Sequence, residues 1–301
     1  MDSAARSLIV VALGGNAVSP PRGGLTFAVE RDLIERATAE LAPLAEDGAR
    51  LLIVHGNGPQ VGRLLAVESA GDQADLDICV AQTQGELGYL IAEALDARLG
   101  ADATATIVTR VLVDADDPAF AHPTKPIGPV LDHCPPDAPA VQMPDGSGWR
   151  RVVASPRPLA VIEQRAIRSL LTTHHVVAGG GGGVALSDAR RKRRPCAAVV
   201  DKDWVASLLA IELRADQLLY VTDVPQAFDR FGQHDQEPIH TMSVAEAQAR
   251  LDECVFAPGS MQPKVASAVD FVAATGRRAI IATLGAIAAA LQGTAGTTIR
   301  P

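Results

Sequence analysis

The chain contains only four lysines, and two of them stand where a positive charge is unusual. Lys202 and Lys264 each follow a turn and lie in the first turn of a predicted helix. A cation there opposes the helix macrodipole, at a cost of about 0.3–1 kcal/mol when the side chain is exposed. One such lysine alone is usually a tolerated surface residue. The two together indicate a bound anion, such as a phosphate group.

Asp201 directly precedes Lys202 and allows two interpretations. It can cap the N-terminus of the helix that follows predicted strand 197–200, because an aspartate side chain accepts hydrogen bonds from free backbone N–H groups. It can also be a carboxylate that positions the neighbouring ammonium groups. Both roles are compatible with the sequence.

Three glycine-bearing turns each follow a predicted strand. They are Gly14-Gly15-Asn16, Gly56-Asn57-Gly58 and the run formed by Gly179, Gly180, Gly181, Gly182 and Gly183. In an open parallel sheet, ligands bind beyond the carboxyl ends of the strands, where glycines let backbone N–H groups approach an anion closely. A single turn of this kind is usually structural, whereas three at equivalent strand ends favour an oxyanion cradle.

Several other chemistries are disfavoured. No G-x-x-x-x-G-K-[ST] motif is present and no G-x-G-x-x-G follows a strand, which argues against Walker-type nucleotide binding and dinucleotide binding. The basic run 190–194 has no interleaved aromatic residues and is more typical of a solvated surface than of an RNA contact. The formal charge of -8 also disfavours a nucleic-acid partner.

Apolar runs alternate with segments of helical periodicity along the chain. The predicted strands are 8–13, 51–55, 104–108, 175–178, 197–200, 218–222 and 278–283. Their continuous Val, Ile and Leu content is typical of a parallel sheet buried on both faces. One helix is predicted over 30–47. Two capping boxes, Thr83–Glu86 and Ser243–Glu246, predict the starts of two further helices. We therefore expect an α/β fold: a three-layer α/β/α sandwich around a mainly parallel open sheet, formed as one domain over 1–301.

One segment breaks this alternation. Residues 114–158 contain ten of the chain's 20 prolines and little helical periodicity. Because proline interrupts helices and central strands, we expect this segment to form a small, loop-rich inserted subdomain. Its role can be that of a lid over a site or of a surface decoration.

Composition bears on the location of the protein. The 301 residues are 48% hydrophobic, and we expect neither a secretory signal nor a membrane-spanning segment, since the apolar runs are short. The four cysteines form no C-x-x-C pair, so neither a disulfide framework nor a zinc site is expected. We expect a cytoplasmic protein without membrane association.

Many segments of the chain resemble the carbamate kinases of the amino acid kinase superfamily, and they follow the family's order over nearly the whole length. The matching segments are VVALGGNA (10–17), VHGNGPQVG (54–62), LDICVAQTQGELGY (76–89), PTKPIGP (123–129), GWRRVVASP (148–156), GGGG (179–182), VVDKDWVASLLA (199–210), VTDV (221–224) and FAPGSMQPK (256–264). One position discriminates within the superfamily: Ala12 stands where acetylglutamate and uridylate kinases carry a phosphate-binding lysine. Lys125 matches instead a lysine that carbamate kinases supply from the inserted subdomain.

The resemblance implies reversible phosphoryl transfer between carbamoyl phosphate and ADP, which gives ATP and carbamate. It implies that the first two glycine turns, with Asn16 and Asn57, face the transferring group or the carbamoyl end, and that the five-glycine run lies near the phosphates. Lys125, Lys202 and Lys264 would neutralise charge, while Asp201 would hold the lysines in register. Segment 114–158 would then be a mobile lid.

On the nucleotide side, the resemblance implies a pocket that includes Thr222, Asp223, Phe228 and Met261. Phe228 stands where carbamate kinases often have tyrosine, so stacking on adenine is kept and a phenolic hydrogen bond is lost. Mg²⁺ is expected to be held mainly by the nucleotide phosphates rather than by a protein metal site. The resemblance also implies a homodimer, with residues 1–195 on the carbamoyl phosphate and dimerisation side and residues 196–301 on the nucleotide side.

Two other functions stay open at this point. One is a different small-molecule kinase of the same superfamily, acting on another acid or a phosphonate. The other is a non-catalytic module of the same fold that senses nucleotides. The presence of all three candidate lysines together with Asp201 weighs against a non-catalytic module.

Overall fold

The structure, a computed structural model, describes residues 6–19, 25–67, 76–136, 138–143, 146–189 and 192–301. The helices are α1 (Phe27–Glu46), α2 (Gly58–Val67), α3 (Leu76–Leu99), α4 (Gln164–Leu170), α5 (Lys202–Leu213), α6 (Val244–Asp252), α7 (Met261–Thr275) and α8 (Ile287–Leu291). The strands are β1 (Leu8–Leu13), β2 (Arg50–His55), β3 (Thr104–Thr106), β4 (Arg110–Val113), β5 (Lys125–Leu131), β6 (Ala140–Gln142), β7 (Trp149–Val153), β8 (Pro158–Val161), β9 (His175–Val177), β10 (Val184–Ala189), β11 (Lys192–Val199), β12 (Gln217–Thr222), β13 (Ala227–Asp229), β14 (Glu237–Ile239), β15 (Thr241–Ser243), β16 (Ala279–Thr283) and β17 (Thr297–Arg300).

The largest sheet has eight strands, in the order β15-β17-β16-β12-β1-β2-β9-β3. Its strand pairs are parallel except for β16 and β17, which run antiparallel. The predicted α/β class with a mainly parallel sheet is therefore confirmed. Since consecutive strands of a parallel sheet need crossover connections, helices cover both faces.

Strand β1 explains why three layers form. Val10 and Ala12 belong to a buried cluster on one face of the sheet, whereas Ile9, Val11 and Leu13 belong to a second buried cluster on the other face. Because successive side chains of a strand point to opposite faces, an unbroken apolar run requires cover on both sides. Helices α5 and α7 contribute to the first cluster, and helices α1 and α3 to the second.

The predicted strand 197–200 does not join this parallel sheet. It is the end of β11, which pairs antiparallel with β10 in a second sheet of order β11-β10-β4-β8. Its apolar residues, such as Ala198 and Val200, are buried against the rest of the molecule, which explains why the run resembled a central parallel strand. The hairpin formed by β10 and β11 and one face of the main sheet therefore share a buried core close to Asp201.

The helix boundaries follow the sequence signals in part. Helix α1 ends as predicted, with Gly48 beyond the C-cap at a φ of +95°. The Ser243–Glu246 capping box is confirmed, since both of its reciprocal hydrogen bonds are present. The capping box predicted at Thr83 and Glu86 is wrong. Helix α3 begins at Leu76 and continues through this point without a break.

The physical reason is that Thr83 satisfies its hydroxyl within the helix. Its Oγ1 lies 2.9 Å from the carbonyl oxygen of Cys79 and 3.0 Å from that of Val80. Glu86 accepts a hydrogen bond from the Arg63 guanidinium on α2 at 2.6 Å. Thr83 therefore bonds within its own helix and Glu86 contacts a neighbouring helix, so neither residue caps α3.

The proline-rich segment contains strands as well as loops. Strands β5, β7 and β6 form a separate three-stranded antiparallel sheet. This sheet packs on α2, where a Cβ atom on Gly62 would lie only 1.9 Å from the Cα of Gly128. Gly128 itself has a φ of +71°, and the pairing of β5 with β7 shifts register beyond Ile127. Glycine on both sides allows this close backbone contact.

Candidate active site

The three predicted glycine turns meet at one edge of the main sheet. Strands β1, β2 and β9 are neighbours, and their carboxyl ends lead towards Gly14, Gly56 and Gly179. The Gly14 backbone N–H donates to the carbonyl oxygen of Val221 at 2.8 Å and ties the first turn to the end of β12. A Cβ atom on Gly56 would lie 3.7 Å from the Cα of Gly15. The first two turns therefore run side by side.

The five-glycine run adopts a conformation that other residues resist. Four of its members have φ values between +57° and +82°. A Cβ atom on Gly181 would lie 2.0 Å from the Asn57 amide nitrogen, and one on Gly182 would lie 2.3 Å from the Val200 carbonyl oxygen. Glycine is required at both positions, because the backbone turns and neighbouring atoms occupy the space of a side chain.

Two buried polar residues anchor this run. The Gly179 backbone N–H donates to the hydroxyl of Thr109 at 2.9 Å. Gln84 on α3 accepts from the Thr109 hydroxyl at 3.0 Å and from its backbone N–H at 2.9 Å. Neither residue was identified from the sequence. The signal available was a polar pair in otherwise apolar surroundings, which is too common to be specific.

Lys202 and Lys264, predicted as an unusual pair, share one carboxylate. The Lys202 ammonium lies 2.5 Å from Oδ1 of Asp203, and the Lys264 ammonium lies 3.2 Å from Oδ2 of the same residue. Lys264 also donates to the carbonyl oxygen of Ser260 at 3.0 Å. Asp201 accepts from the backbone N–H of Asp203 at 2.9 Å, so it caps α5 as its first interpretation predicted.

Lys125 completes the cluster from the small sheet. It is the first residue of β5, and its ammonium forms an ion pair with Oδ2 of Asp201. The second interpretation of Asp201 is therefore compatible with the first, since its two oxygens serve different donors. Gly58 lies beside this strand, because a Cβ atom there would be 3.5 Å from the Pro126 carbonyl oxygen. The cluster thus joins β5, α5 and α7.

Burial and charge act together on these groups. Burial would raise the pKa of Asp201, but the ammonium groups of Lys125 and Lys202 hold that pKa well below its usual range. Burial lowers the pKa of Lys202, with Asp203 opposing this effect and the Lys264 ammonium adding to it. Burial also acts to lower the pKa of Lys264, but Asp203 and Asp201 outweigh it and raise that pKa. The lysines therefore depend on both carboxylates.

Asn57 is the polar side chain that the second turn presents. It is buried, and its amide nitrogen donates to the hydroxyl of Thr83 at 2.9 Å. Its amide oxygen has no hydrogen-bond partner among the described residues. A buried acceptor without a donor costs free energy of about 1–3 kcal/mol, so this oxygen fits a site for a ligand N–H group. Asn16 lies in a single 3-10 turn, and its side chain is outside the described part.

His55 precedes the second turn and is held neutral. Burial lowers its pKa to about 4, an effect that the Gly56 carbonyl opposes and the Lys202 ammonium reinforces. Its Nδ1 lies 3.0 Å from the Gly56 carbonyl oxygen, and its Nε2 faces the backbone of Gly180, where a Cβ atom would lie 2.4 Å away. His55 therefore packs the second turn against the five-glycine run.

The residues predicted for nucleotide binding lie beyond β12 and on two further elements. Thr222 ends β12 and donates from its hydroxyl to Asp223 at 3.1 Å. The Asp223 carboxylate is among the charges that raise the pKa of Lys264. Phe228 lies on β13, half-buried, with its ring centroid 5.9 Å from that of Phe231.

Met261 begins α7, one turn before Lys264. Gln226 lies between Asp223 and Phe228 in sequence, and its buried amide nitrogen has no partner within the ranges that the structure covers. Sequence reasoning did not identify Gln226. Of these residues, Asp223 and Met261 adjoin Lys264, the first through its charge and the second in the same turn of α7.

The donor set bears on how a metal ion can be held. Both oxygens of Asp203 face lysines, and the two oxygens of Asp201 accept from Lys125 and from a backbone N–H. In the described ranges, no three His, Cys, Asp or Glu residues cluster as metal ligands would. Every oxygen of these two carboxylates therefore already accepts from an N–H donor.

Asp203 is a further functional candidate that sequence reasoning missed. It was interpreted neither as a cap nor as a ligand, although it lies two residues beyond Asp201. The signal that could have found it is physical: a lysine buried in the first turn of a helix needs a nearby carboxylate. The geometry shows this carboxylate between two lysines that are far apart in sequence.

Comparison with known proteins agrees with this architecture. The Amino acid kinase family model matches residues 7–283. The carbamate kinase of Halobacterium salinarum is 41% identical over 98% of this chain and 99% of its own length. The solved carbamate kinase of Giardia lamblia bound to citric acid superposes with a TM-score of 0.89 at 33% identity, covering 98% of this chain and 99% of that one. A second structure of that protein, bound to AMP-PNP, gives a TM-score of 0.88 at 33% identity, again covering 98% of this chain and 99% of that one.

The chain belongs to the amino acid kinase family. Within that family it groups with the carbamate kinases, as its sequence resemblance indicated. The protein is accordingly a phosphotransferase. In the ranges described, no helix combines the length and the hydropathy that crossing a membrane requires.

Proposed function

We propose that the protein catalyses reversible phosphoryl transfer between carbamoyl phosphate and ADP, which gives ATP and carbamate. One observation carries the proposal: the ammonium groups of Lys125, Lys202 and Lys264 gather around two carboxylates, Asp201 and Asp203, and the Lys202 side chain lies beside the glycine turn at Gly56. Counted as full charges, three minus two leaves one net positive charge in a largely buried cluster. A buried excess charge needs a counterion, and a transferring phosphoryl group is one.

Phosphoryl transfer depends on the positioning of its reactants more than on covalent catalysis by the protein. A phosphoryl group passing between two oxygens needs in-line alignment and preorganised positive charge. The lysines supply the charge, and the backbone N–H groups of the glycine turns supply dipoles. Because carbamate attacks as an anion, no proton has to be removed. The neutral, buried His55 is consistent with a site that uses no general base.

We assign the binding of the substrate's carbamoyl group to Asn57. Its buried amide oxygen can accept from the NH₂ group of carbamate, while its nitrogen is already engaged by Thr83. A site built to bind an N–H group discriminates against analogues without one, because its acceptor would stay unpaired. This favours carbamate over an acid that lacks nitrogen. The other kinase function left open by the sequence is therefore the weaker alternative.

The nucleotide end is assigned to Thr222, Asp223, Phe228 and Met261, with the Phe228 ring stacking on the base. Mg²⁺ enters as part of the nucleotide substrate, since the carboxylates of the cluster already accept from N–H donors. Lys125 lies on β5 of the three-stranded sheet, and from there it covers the phosphate site. The segment 114–158 then works as the lid that the resemblance implied. The homodimer and the cytoplasmic location are proposed on the same resemblance.

The test is ATP formation from purified protein, carbamoyl phosphate and MgADP. We expect ATP to appear only when all components are present, and to be lost in the Lys202→Ala variant. A panel of other acids with MgATP separates this activity from that of a related kinase. Binding of ADP without consumption of carbamoyl phosphate would instead support the nucleotide-sensing function.

A further inference from the structure

A second cationic site lies at the opposite edge of the main sheet. It is a solvent-open groove of about 570 Å³ at the amino ends of β1 and β2. Its lining residues are Arg6, Leu8, Arg50, Arg168, Leu171, Thr172 and Leu213. Strand β1 is six residues long, which separates this groove from the glycine turns by about 20 Å. The groove is therefore distinct from the candidate active site.

Backbone carbonyls, not carboxylates, fix two of the three arginines. Arg50 donates to the carbonyl oxygen of Thr173 at 3.0 Å, and Arg168 donates to that of Glu212 at 2.6 Å. Over the ranges described, no carboxylate oxygen lies within 4.0 Å of a guanidinium nitrogen of Arg6, Arg50 or Arg168. Arg50 and Arg168 are thus held in place, and among the described residues none of the three guanidinium groups forms a direct ion pair.

Nearby titratable groups respond to this charge. Burial lowers the pKa of Arg50, and the Arg6 guanidinium lowers it further. Burial also lowers the pKa of His175 to about 4, and both arginines add to that effect. Burial raises the pKa of Glu212, which Arg168 opposes. In a chain with a net charge of -8, a local excess of three arginines is a specific feature.

We propose that this groove binds a small organic anion with two or more negatively charged oxygen groups. Guanidinium groups present paired N–H donors that match carboxylate and phosphate oxygens, so several of them favour a multiply charged ligand. Leu8, Leu171 and Leu213 provide an apolar surface for a short carbon skeleton. The volume lies within the range of small-molecule pockets, about 300–1,000 Å³.

Two ligand sources share this chemistry, a phosphate ester and a dicarboxylate. Calorimetric titration of the full-length protein with β-glycerophosphate and, separately, with succinate distinguishes them. We expect one probe to bind with a Kd of about 1 mM or tighter at low salt. Binding of only one identifies the source. The absence of binding by both would overturn the proposal.

Variants assign the binding to the groove. Arg6→Gln and Arg168→Gln each remove an exposed charge and should weaken binding about tenfold or more, since a charged hydrogen bond is lost. Arg165→Gln removes a different exposed arginine of α4 and should leave the affinity unchanged. Lys264→Ala should also leave it unchanged. Loss of affinity in Lys264→Ala would place the bound anion in the active site. That result, or unchanged affinity in both Arg6→Gln and Arg168→Gln, would refute the proposal that the groove binds the anion.

Discussion

The ammonium of Lys264 lies 3.2 Å from Oδ2 of Asp203, a residue 61 positions earlier in the chain. The contact joins the first turns of α5 and α7, two helices that pack on the same face of the main sheet. Without this carboxylate, a lysine at each helix N-terminus would oppose its macrodipole with little compensation. The arrangement instead holds both ammonium groups on one carboxylate, and the Lys202 side chain lies beside the second glycine turn, 3.6 Å from the position of a Cβ atom on Gly56.

Replacement of Lys264 tests this arrangement in catalysis. We expect Lys264→Ala to lower turnover by about 10²-fold or more, because one preorganised donor to the transferring group is lost. Lys125→Ala and Lys202→Ala should show similar losses, and Asp201→Asn a milder one. The measurement is the rate of ATP formation at saturating MgADP, with circular dichroism to verify the fold.

Arg36→Ala is the matched control for these variants. Arg36 is an exposed cation of α1 that pairs with Asp32 at 2.7 Å, and its removal leaves the cluster of Lys202 and Lys264 complete. We expect its turnover to equal that of the wild type. Near-wild-type turnover in Lys125→Ala and Lys264→Ala would contradict the assignment of charge neutralisation to these lysines.

The Asp203→Asn variant tests the coupling between the two lysines. Burial already lowers the pKa of Lys202, and Asp203 opposes that effect. Removal of the negative charge should let the pKa of Lys202 fall further, so the alkaline limb of the pH–rate profile should move to lower pH. Loss of one partner from a buried ion pair should also destabilise the fold, by about 3–5 kcal/mol.

Asp32→Asn provides the comparison, because Asp32 forms an exposed i,i+4 pair with Arg36. Both the pH–rate profile and the urea midpoint of this variant should match those of the wild type. An alkaline limb that stays in place in Asp203→Asn would show that Lys202 does not depend on this carboxylate.

Local signals predicted the parts of the site that are continuous in sequence. Glycine turns at strand ends, the cap at Asp201 and the misplaced charges of Lys202 and Lys264 could all be read from neighbouring residues. The same logic failed at Thr83, because an S/T-x-x-E spacing also occurs inside a long helix, where the hydroxyl bonds to a backbone carbonyl of the preceding turn.

Long-range partners could not be predicted from pattern alone. Nothing in the spacing of residues links Asp203 to Lys264 or Thr109 to Gly179; the fold brings them together. Strand 197–200 had the composition of a central parallel strand, yet it lies in an antiparallel hairpin. Burial on both faces selects apolar residues in either setting, so composition does not reveal the sheet to which a strand belongs.

The environment of His175 predicts that the free energy of unfolding decreases at acidic pH. Its Nδ1 accepts a hydrogen bond from the Leu51 backbone N–H at 3.2 Å, and burial, reinforced by Arg50, lowers its pKa from the usual 6.5 to about 4. The unfolded chain binds this proton more readily than the folded one. The stabilisation is therefore fully present above pH 6.5 and is lost as the pH falls towards 4, by roughly 3 kcal/mol.

Chemical denaturation of wild type and of His175→Asn across this pH range measures the effect. Asparagine offers an oxygen that can accept from Leu51 but does not titrate, so the variant should lose less stability on acidification. His55, whose pKa is also about 4, should still contribute a similar loss. His234 is 97% exposed, and His234→Asn should retain the wild-type slope. Equal slopes in wild type and His175→Asn would refute the prediction.

The five-glycine run gives the sharpest steric prediction. Gly181→Ala should destabilise the fold by about 1–3 kcal/mol and reduce ATP formation, because its φ of +57° is unfavourable for alanine and its methyl group would meet Asn57. Gly85→Ala lies in the interior of α3, where, apart from the adjacent helix backbone, no described atom is within 4 Å of the new Cβ; it should instead stabilise the fold by about 0.5–1 kcal/mol. Urea denaturation of both variants, together with Asn57→Ala and the double variant Gly181→Ala/Asn57→Ala, separates the clash from the backbone strain. We expect the double variant to be more stable than the sum of its single changes predicts, since Asn57→Ala removes the obstructing amide. If the changes in the free energy of unfolding of the two single variants add exactly, then the five-glycine run does not contact Asn57, and the proposed phosphate site depends on that contact.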